Sequence, residues 1–117
     1  MQKFHLARRY VYSESTDYPM GSFLLDYYMI KSEIKIPHSS IIAVVYGVEI
    51  EKRSKTNRGE SRIETASVKD IFNSREHTSG FVTSLAEKLV TPSDLKKAVE
   101  ELIGEKGFEP PEVTIST

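Results

Sequence analysis

The stretch Ile41-Ile42-Ala43-Val44-Val45-Tyr46-Gly47-Val48-Glu49-Ile50-Glu51-Lys52 constrains the fold more than any other part of this 117-residue chain. It is rich in β-branched residues, which fit a pleated, packed surface. Ile42, Val44, Tyr46, Val48 and Ile50 alternate onto one face. Ile41, Ala43, Val45 and Gly47 take the other, which turns polar at Glu49 and Glu51. A run that is apolar on both faces and then on one belongs at the centre of a sheet, and the neighbouring segments read as its partners.

Residues 4–13 alternate as a strand. Phe4, Leu6, Arg8, Tyr10 and Tyr12 share one face, and His5, Ala7, Arg9 and Val11 share the other. Residues 14–21 have turn chemistry, with Pro19 fixing φ and Gly21 permitting φ > 0. A second strand runs from Ser22 to about Ile34, apolar on both sides and therefore interior. Ile36-Pro37-His38-Ser39-Ser40 connects it to the central strand. Residues 53–60 form a polar hairpin tip with Gly59 at positive φ. The return strand, about Ser61 to Val68, carries only Ile63, Ala66 and Val68 as apolar groups, which suits a charge-blunted edge.

Long antiparallel strands joined by short loops leave one sheet face in need of a cover. The cover follows in sequence. Asn73-Ser74-Arg75-Glu76 is a capping signal, with Asn73 as the cap and Glu76 reaching back. Phe81, Val82, Leu85, Ala86 and Leu89 then recur at helical spacing. Thr91-Pro92-Ser93-Asp94 starts a second helix, with Leu95, Val99, Leu102 and Ile103 on one side and Gly104 and Gly107 at its end. The expected fold is α+β: a four-stranded antiparallel meander followed by a two-helix αα-hairpin packed on one face. Residues 1–109 form a single domain, and residues 110–117, broken by Pro110-Pro111, are expected to form a flexible C-terminal tail, with a short added strand at Val113-Thr114-Ile115 as the alternative.

Composition narrows the function classes. The chain is 38% apolar and 28% charged, as soluble globular domains are. No stretch approaches the roughly 18 apolar residues of a membrane span, and charges interrupt the N-terminus where a signal peptide needs an apolar core. There is no cysteine, which excludes a disulfide framework and suits a reducing cytoplasm. Net charge is −1, with 11 Lys or Arg against 9 acids in residues 1–72 and 5 against 8 in residues 73–117. That split is too mild to name a partner.

Catalytic and metal signatures are absent. His5, His38 and His77 each lack a second ligand at metal-site spacing, so each reads as a satisfied or solvated histidine. No nucleophile elbow, phosphate loop, dinucleotide-binding turn or His-Glu-x-x-His motif occurs. Glu49 and Glu51 share a strand face about 7 Å apart, but Lys52, Arg53 and Arg62 stand nearby, and a cross-strand charge ladder is the better reading. No cofactor and no enzymatic activity are expected.

Two binding signals remain. All 6 tyrosines lie in the first 46 residues, mostly in the sheet. Tyr10, Tyr12, Tyr27 and Tyr28, beside Arg8 or Arg9, have the composition of a protein–protein contact, although tyrosine is also an ordinary half-exposed strand residue. The cations Lys52, Arg53, Lys55, Arg58 and Arg62 form a basic hairpin that could release counterions from nucleic acid. It has no aromatic for base stacking, and hairpin tips are commonly charged for solubility.

Three groups of residues carry a family resemblance. They are Tyr27-Tyr28-Met29-Ile30-Lys31-Ser32-Glu33, Tyr46-Gly47-Val48-Glu49, and Val90-Thr91-Pro92-x-x-Leu95 followed by Val99-Glu100-Glu101-Leu102-Ile103. The chain resembles a family of small uncharacterised bacterial proteins, a domain of unknown function, over about residues 22–104. The resemblance implies this architecture and a bacterial cytoplasmic setting. It supplies no catalytic residue. The leading functional expectation is a non-enzymatic protein-binding or self-assembly module that uses an exposed sheet face or edge. The alternative is nucleic-acid contact through the hairpin 52–62.

Overall fold

A computed structural model describes residues 1–12, 22–55, 59–106 and 113–116, with side chains for all of these except 103–106 and 113–116. Four long strands come first: β1 (Gln2–Val11), β2 (Phe23–Lys35), β3 (Ile42–Lys55) and β4 (Ser61–Phe72). Helix α1 (Arg75–Glu87), a 3₁₀ turn (Pro92–Asp94) and helix α2 (Leu95–Lys106) follow. The sheet is antiparallel throughout in chain order, so the expected α+β meander with an αα-hairpin on one face is the fold observed.

A fifth strand, β5 (Val113–Ser116), pairs with β4 over Thr65–Val68. The described part of the expected flexible tail is therefore a strand, and β4 is not an edge along that length. Residues 110–112 and 117 lie outside the described residues.

The covered face is set by register. Leu25 and Tyr27 of β2, Val48 and Ile50 of β3, and Ala66 and Val68 of β4 point at the helices. Val82, Leu85 and Ala86 of α1 and Leu95 and Val99 of α2 complete the core.

Strand β1 departs from simple alternation. Its register shifts between His5 and Ala7, so Leu6 is an extra residue in a bulge. A one-residue shift exchanges the two faces. Phe4 therefore joins the helix side, where Arg75 lies 5.6 Å from its ring centroid, while Arg8 and Tyr10 turn to the opposite face. Ala7 and Val11, expected opposite Phe4, lie on that same side and pack against the core.

A second irregularity sits between Tyr46 and Val48, where β4 spends extra residues crossing from Val68 to Phe72. Asp70 takes φ 58 there, a conformation that Asp tolerates better than most residues. Gly47 lies directly beneath. A Cβ at that position would stand 2.1 Å from the Val68 carbonyl oxygen, so only glycine fits.

Helix ends also differ in detail from the sequence reading. Ser74, not Asn73, caps α1, and its hydroxyl accepts from the His77 N–H at 3.3 Å. The α1 C-terminus closes as a Schellman motif: the Leu89 N–H reaches the Ala86 carbonyl and the Val90 N–H the Leu85 carbonyl. Leu89 holds the left-handed position at φ 53. Thr91 gives no side-chain cap to backbone; its hydroxyl meets Asp94 at 3.0 Å instead. Gly104 lies inside α2 and does not end it.

Candidate functional site: the open sheet face

Among the described residues, no helix covers the second sheet face. Its layout follows from the register, because directly paired residues in antiparallel strands point to the same side. Three rows cross β1, β2, β3 and β4 in turn. Tyr10, Leu24, Arg53 and Ile63 form one row; Arg8, Asp26, Glu51 and Thr65 the next; His5, Tyr28, Glu49 and Ser67 the third.

Asp26 is the centre of this surface. It is only 3% exposed although it lies on the uncovered face. Its carboxylate accepts from Arg8 Nε at 2.8 Å and Arg8 Nη2 at 3.3 Å. His5 Nε2 lies 2.7 Å from the same Oδ1, which makes that nitrogen the protonated one against an ionised carboxylate. Burial works to raise the Asp26 pKa, but the Arg8 and His5 bonds and charges outweigh it, and the carboxyl sits below its ordinary value.

Tyr28 packs edge-on to His5 with ring centroids 5.2 Å apart. Lys3 lies over the Tyr28 ring at 4.3 Å and pairs with Glu49 at 2.5 Å. The Glu49 hydrogen bond holds the Lys3 ammonium above its usual value, while burial and then the neighbouring Asp26 raise the Tyr28 phenol. Glu51 takes Arg53 at 3.0 Å. The face is thus an interlocked set of pairs around a buried carboxylate.

The four candidate tyrosines separate by face. Tyr27 belongs to the core: it is 0% exposed and points at the helices, so it cannot anchor a partner. Tyr28 is half-buried on the open face, and Tyr10 and Tyr12 are strongly exposed, with ring centroids 6.4 Å apart. A cleft of about 310 Å³ adjoins Tyr10 and is lined by Phe23, Leu24, Arg53 and Lys55. The tyrosine and hairpin signals therefore meet at one end of the sheet.

The basic hairpin is partly neutralised from within. Arg53 pairs with Glu51, and Arg62 pairs with Glu64 at 3.3 Å. Lys52 turns to the helix side and lies 4.5 Å from the Phe23 ring centroid. Lys55 is exposed beside the cleft, and Arg58 lies outside the described residues. Among the described residues, no group of three His, Asp or Glu side chains is arranged to hold a metal ion.

The sequence reading passed over Asp26, His5 and Arg8 as a unit. A lone acid inside the apolar run Phe23–Ile30 was the available signal, but its partners could be named only with the β1 bulge in place.

Residues 9–105 match a family of unknown function, DUF6514. The chain belongs to DUF6514. No curated protein and no solved structure matches it. The DUF6514 match spans the last three residues of β1 and β2 to α2, so most of the open face and its helical backing fall within the family region, while Lys3, His5 and Arg8 precede it. Among the described residues of this DUF6514 chain, no helix is long and apolar enough to cross a membrane.

Proposed function

We propose that this DUF6514 protein is a non-enzymatic protein-binding module whose open sheet face meets its partner. The observation that carries the reading is the row Tyr10–Leu24–Arg53–Ile63. On the face that no helix covers, it sets an exposed aromatic, an arginine held by Glu51 and two aliphatic groups side by side. Tyr and Arg dominate binding energy at protein interfaces, and fixed neighbours that exclude water strengthen them. Tyr12 and Tyr28 extend the surface at either side. The setting that goes with this reading is a bacterial cytoplasm, supported by the cysteine-free composition and the family resemblance.

The test is affinity capture from native lysate with and without nuclease, using the wild-type chain and Tyr10→Ala/Ile63→Ser. A protein that survives nuclease and is lost with the double variant is the expected result. Capture that the variant leaves unchanged overturns the reading.

Nucleic-acid contact through residues 52–62 is the second reading, favoured by the exposed Lys55 beside the cleft. It requires that capture vanish with nuclease. It also requires binding that falls steeply with salt and is lost on reversing Lys55 and Arg58.

A further inference from the structure

Strands β2 and β3 outrun both neighbours. β1 begins pairing at Gln2, opposite Lys31, and the last β3–β4 pair is Tyr46 with Phe72. Beyond those points Ser32–Lys35 and Ile42–Val45 form a two-stranded ribbon, closed by a turn with Pro37 and His38 at φ 61. This ribbon is unusually apolar for a protrusion: Ile41 is 60% exposed, Ile42 58% and Val44 37%.

The hydrogen-bond phase identifies what its edges offer. The Ile36 N–H donates to the Ile41 carbonyl at 3.1 Å, so positions 36 and 41, then 34 and 43, bond across the ribbon. In an antiparallel ladder the intervening residues turn their backbone groups outward. On β3 these are Ile42 and Val44, and among the described residues no strand pairs with them. On β2 the outward residues are Glu33 and Lys35, charged groups of the kind that guard an edge. From Ile41 to Val45 the β3 edge has no such guard.

We propose that two copies of this chain pair antiparallel, edge to edge, through residues 41–45 at the start of β3 about a two-fold axis at Ala43. In that register Ile42 of each copy opposes Val44 of the other and exchanges two backbone hydrogen bonds with it. Ile41 opposes Val45 on the other face of the joint sheet. The small Ala43 side chains meet at the axis, where a non-hydrogen-bonded pair stands closest.

Charge adds a small bias toward this register. Lys35 lies beside Ile42, and Glu33 beside Val44, on the same face. Each row across the axis therefore reads Lys35, Ile42, Val44, Glu33, with opposite charges at its ends. A slip of two residues in either direction would end a row in two lysines or two glutamates three strand spacings apart, a weak and salt-screened bias against it. The contact is isologous and uses an edge, so it is independent of the open-face reading and neither depends on the other.

The cysteine-free chain makes the test direct. Ala43→Cys, Ile34→Cys and, as an exposed control on the helix side, Ser93→Cys are oxidised as full-length proteins and read as covalent dimer on non-reducing gels. Cα atoms about 4.5 Å apart at the axis fall within disulfide reach. Ala43→Cys should therefore cross-link about tenfold faster than Ser93→Cys, and adding Ile42→Lys should return it to the control rate. Ile34 occupies the corresponding axis position of a β2-to-β2 pairing. Cross-linking of Ile34→Cys that equals or exceeds that of Ala43→Cys overturns the β3 assignment. An Ala43→Cys rate no higher than the control overturns self-pairing itself.

Discussion

The Tyr27 hydroxyl donates a 2.9 Å hydrogen bond to the carbonyl of Val90, tying the middle of β2 to the residue that closes α1. Val90 is also the last donor of the Schellman motif, so one residue fixes the helix end and anchors it to the sheet. Buried phenols require a partner, and this bond supplies it for Tyr27, the one of the adjacent Tyr27 and Tyr28 that lies in the core.

Tyr27→Phe keeps the ring and removes the bond, leaving the Val90 carbonyl to find another donor. A loss of about 1–2 kcal/mol is expected in urea unfolding. The pH dependence carries the same signature. Burial pushes the Tyr27 phenol up to about 12, above the ordinary value of 10.0. Above pH 10.0 the unfolded chain releases this proton while the folded chain keeps it, so stability falls as pH rises through that window up to about 12 and is unaffected by this group below it. Urea midpoints at neutral and at strongly alkaline pH should differ less for Tyr27→Phe than for the wild type.

Gly47→Ala tests the close crossing of β3 and β4. The added methyl would lie 2.1 Å from the Val68 carbonyl oxygen and 2.8 Å from the Lys69 Cα, both backbone atoms with no rotamer to change. The β4 bulge would have to move, at a cost of about 3 kcal/mol or more. Chemical denaturation measures this directly. A loss below about 1 kcal/mol would mean that the crossing is looser than the geometry indicates.

Much of this fold was legible in the sequence because strand alternation and helix spacing are local properties. The central strand, the interior β2, the hairpin with Gly59 at φ 80 and the two-helix cover all follow from such patterns. What escaped is non-local. The Leu6 bulge leaves perfect alternation on either side of itself, so the exchange of faces at Arg8 and Tyr10 shows only in the pairing with β2. Val113-Thr114-Ile115 reads equally as a short strand or a free tail, and only pairing with β4 makes it a strand. Which of two neighbouring tyrosines is buried depends on which side the helices take, and no property of Tyr27 or Tyr28 alone decides it. The candidate site was visible only in pieces for the same reason: Asp26 is conspicuous, but His5 and Arg8 reach it across the bulge.

Leu89→Gly should stabilise the protein. Leu89 occupies the left-handed C′ position at φ 53, where a β-carbon is strained and glycine is preferred, and its side chain is 45% exposed. Relief of strain should exceed the added freedom of the unfolded chain by about 0.5–1 kcal/mol. For a domain of this size that corresponds to a melting-temperature rise of about 2–6 °C, readable by thermal scan.

Arg8→Ala should destabilise more than its exposure suggests. Arg8 is largely in solvent, and an ordinary exposed substitution changes stability by about 0.5 kcal/mol or less. Here it removes both guanidinium bonds to a carboxylate that is almost fully buried, leaving His5 as the remaining side-chain donor to Asp26 among the described residues. A clear loss of stability at neutral pH follows. The effect must also fade with acid. The folded-state pKa of Asp26 is depressed, so its ionised form stabilises the fold above the unfolded-state value near 3.8, and that stabilisation is lost as pH falls through the lower folded value. With Arg8 gone the depression shrinks, and the wild type and variant should converge toward low pH. Parallel urea titrations between neutral pH and about pH 3 measure the gap. A gap that stays constant over that range would show that Arg8 acts through packing of its aliphatic stem, and the buried carboxylate would lose its place as the organiser of the open face.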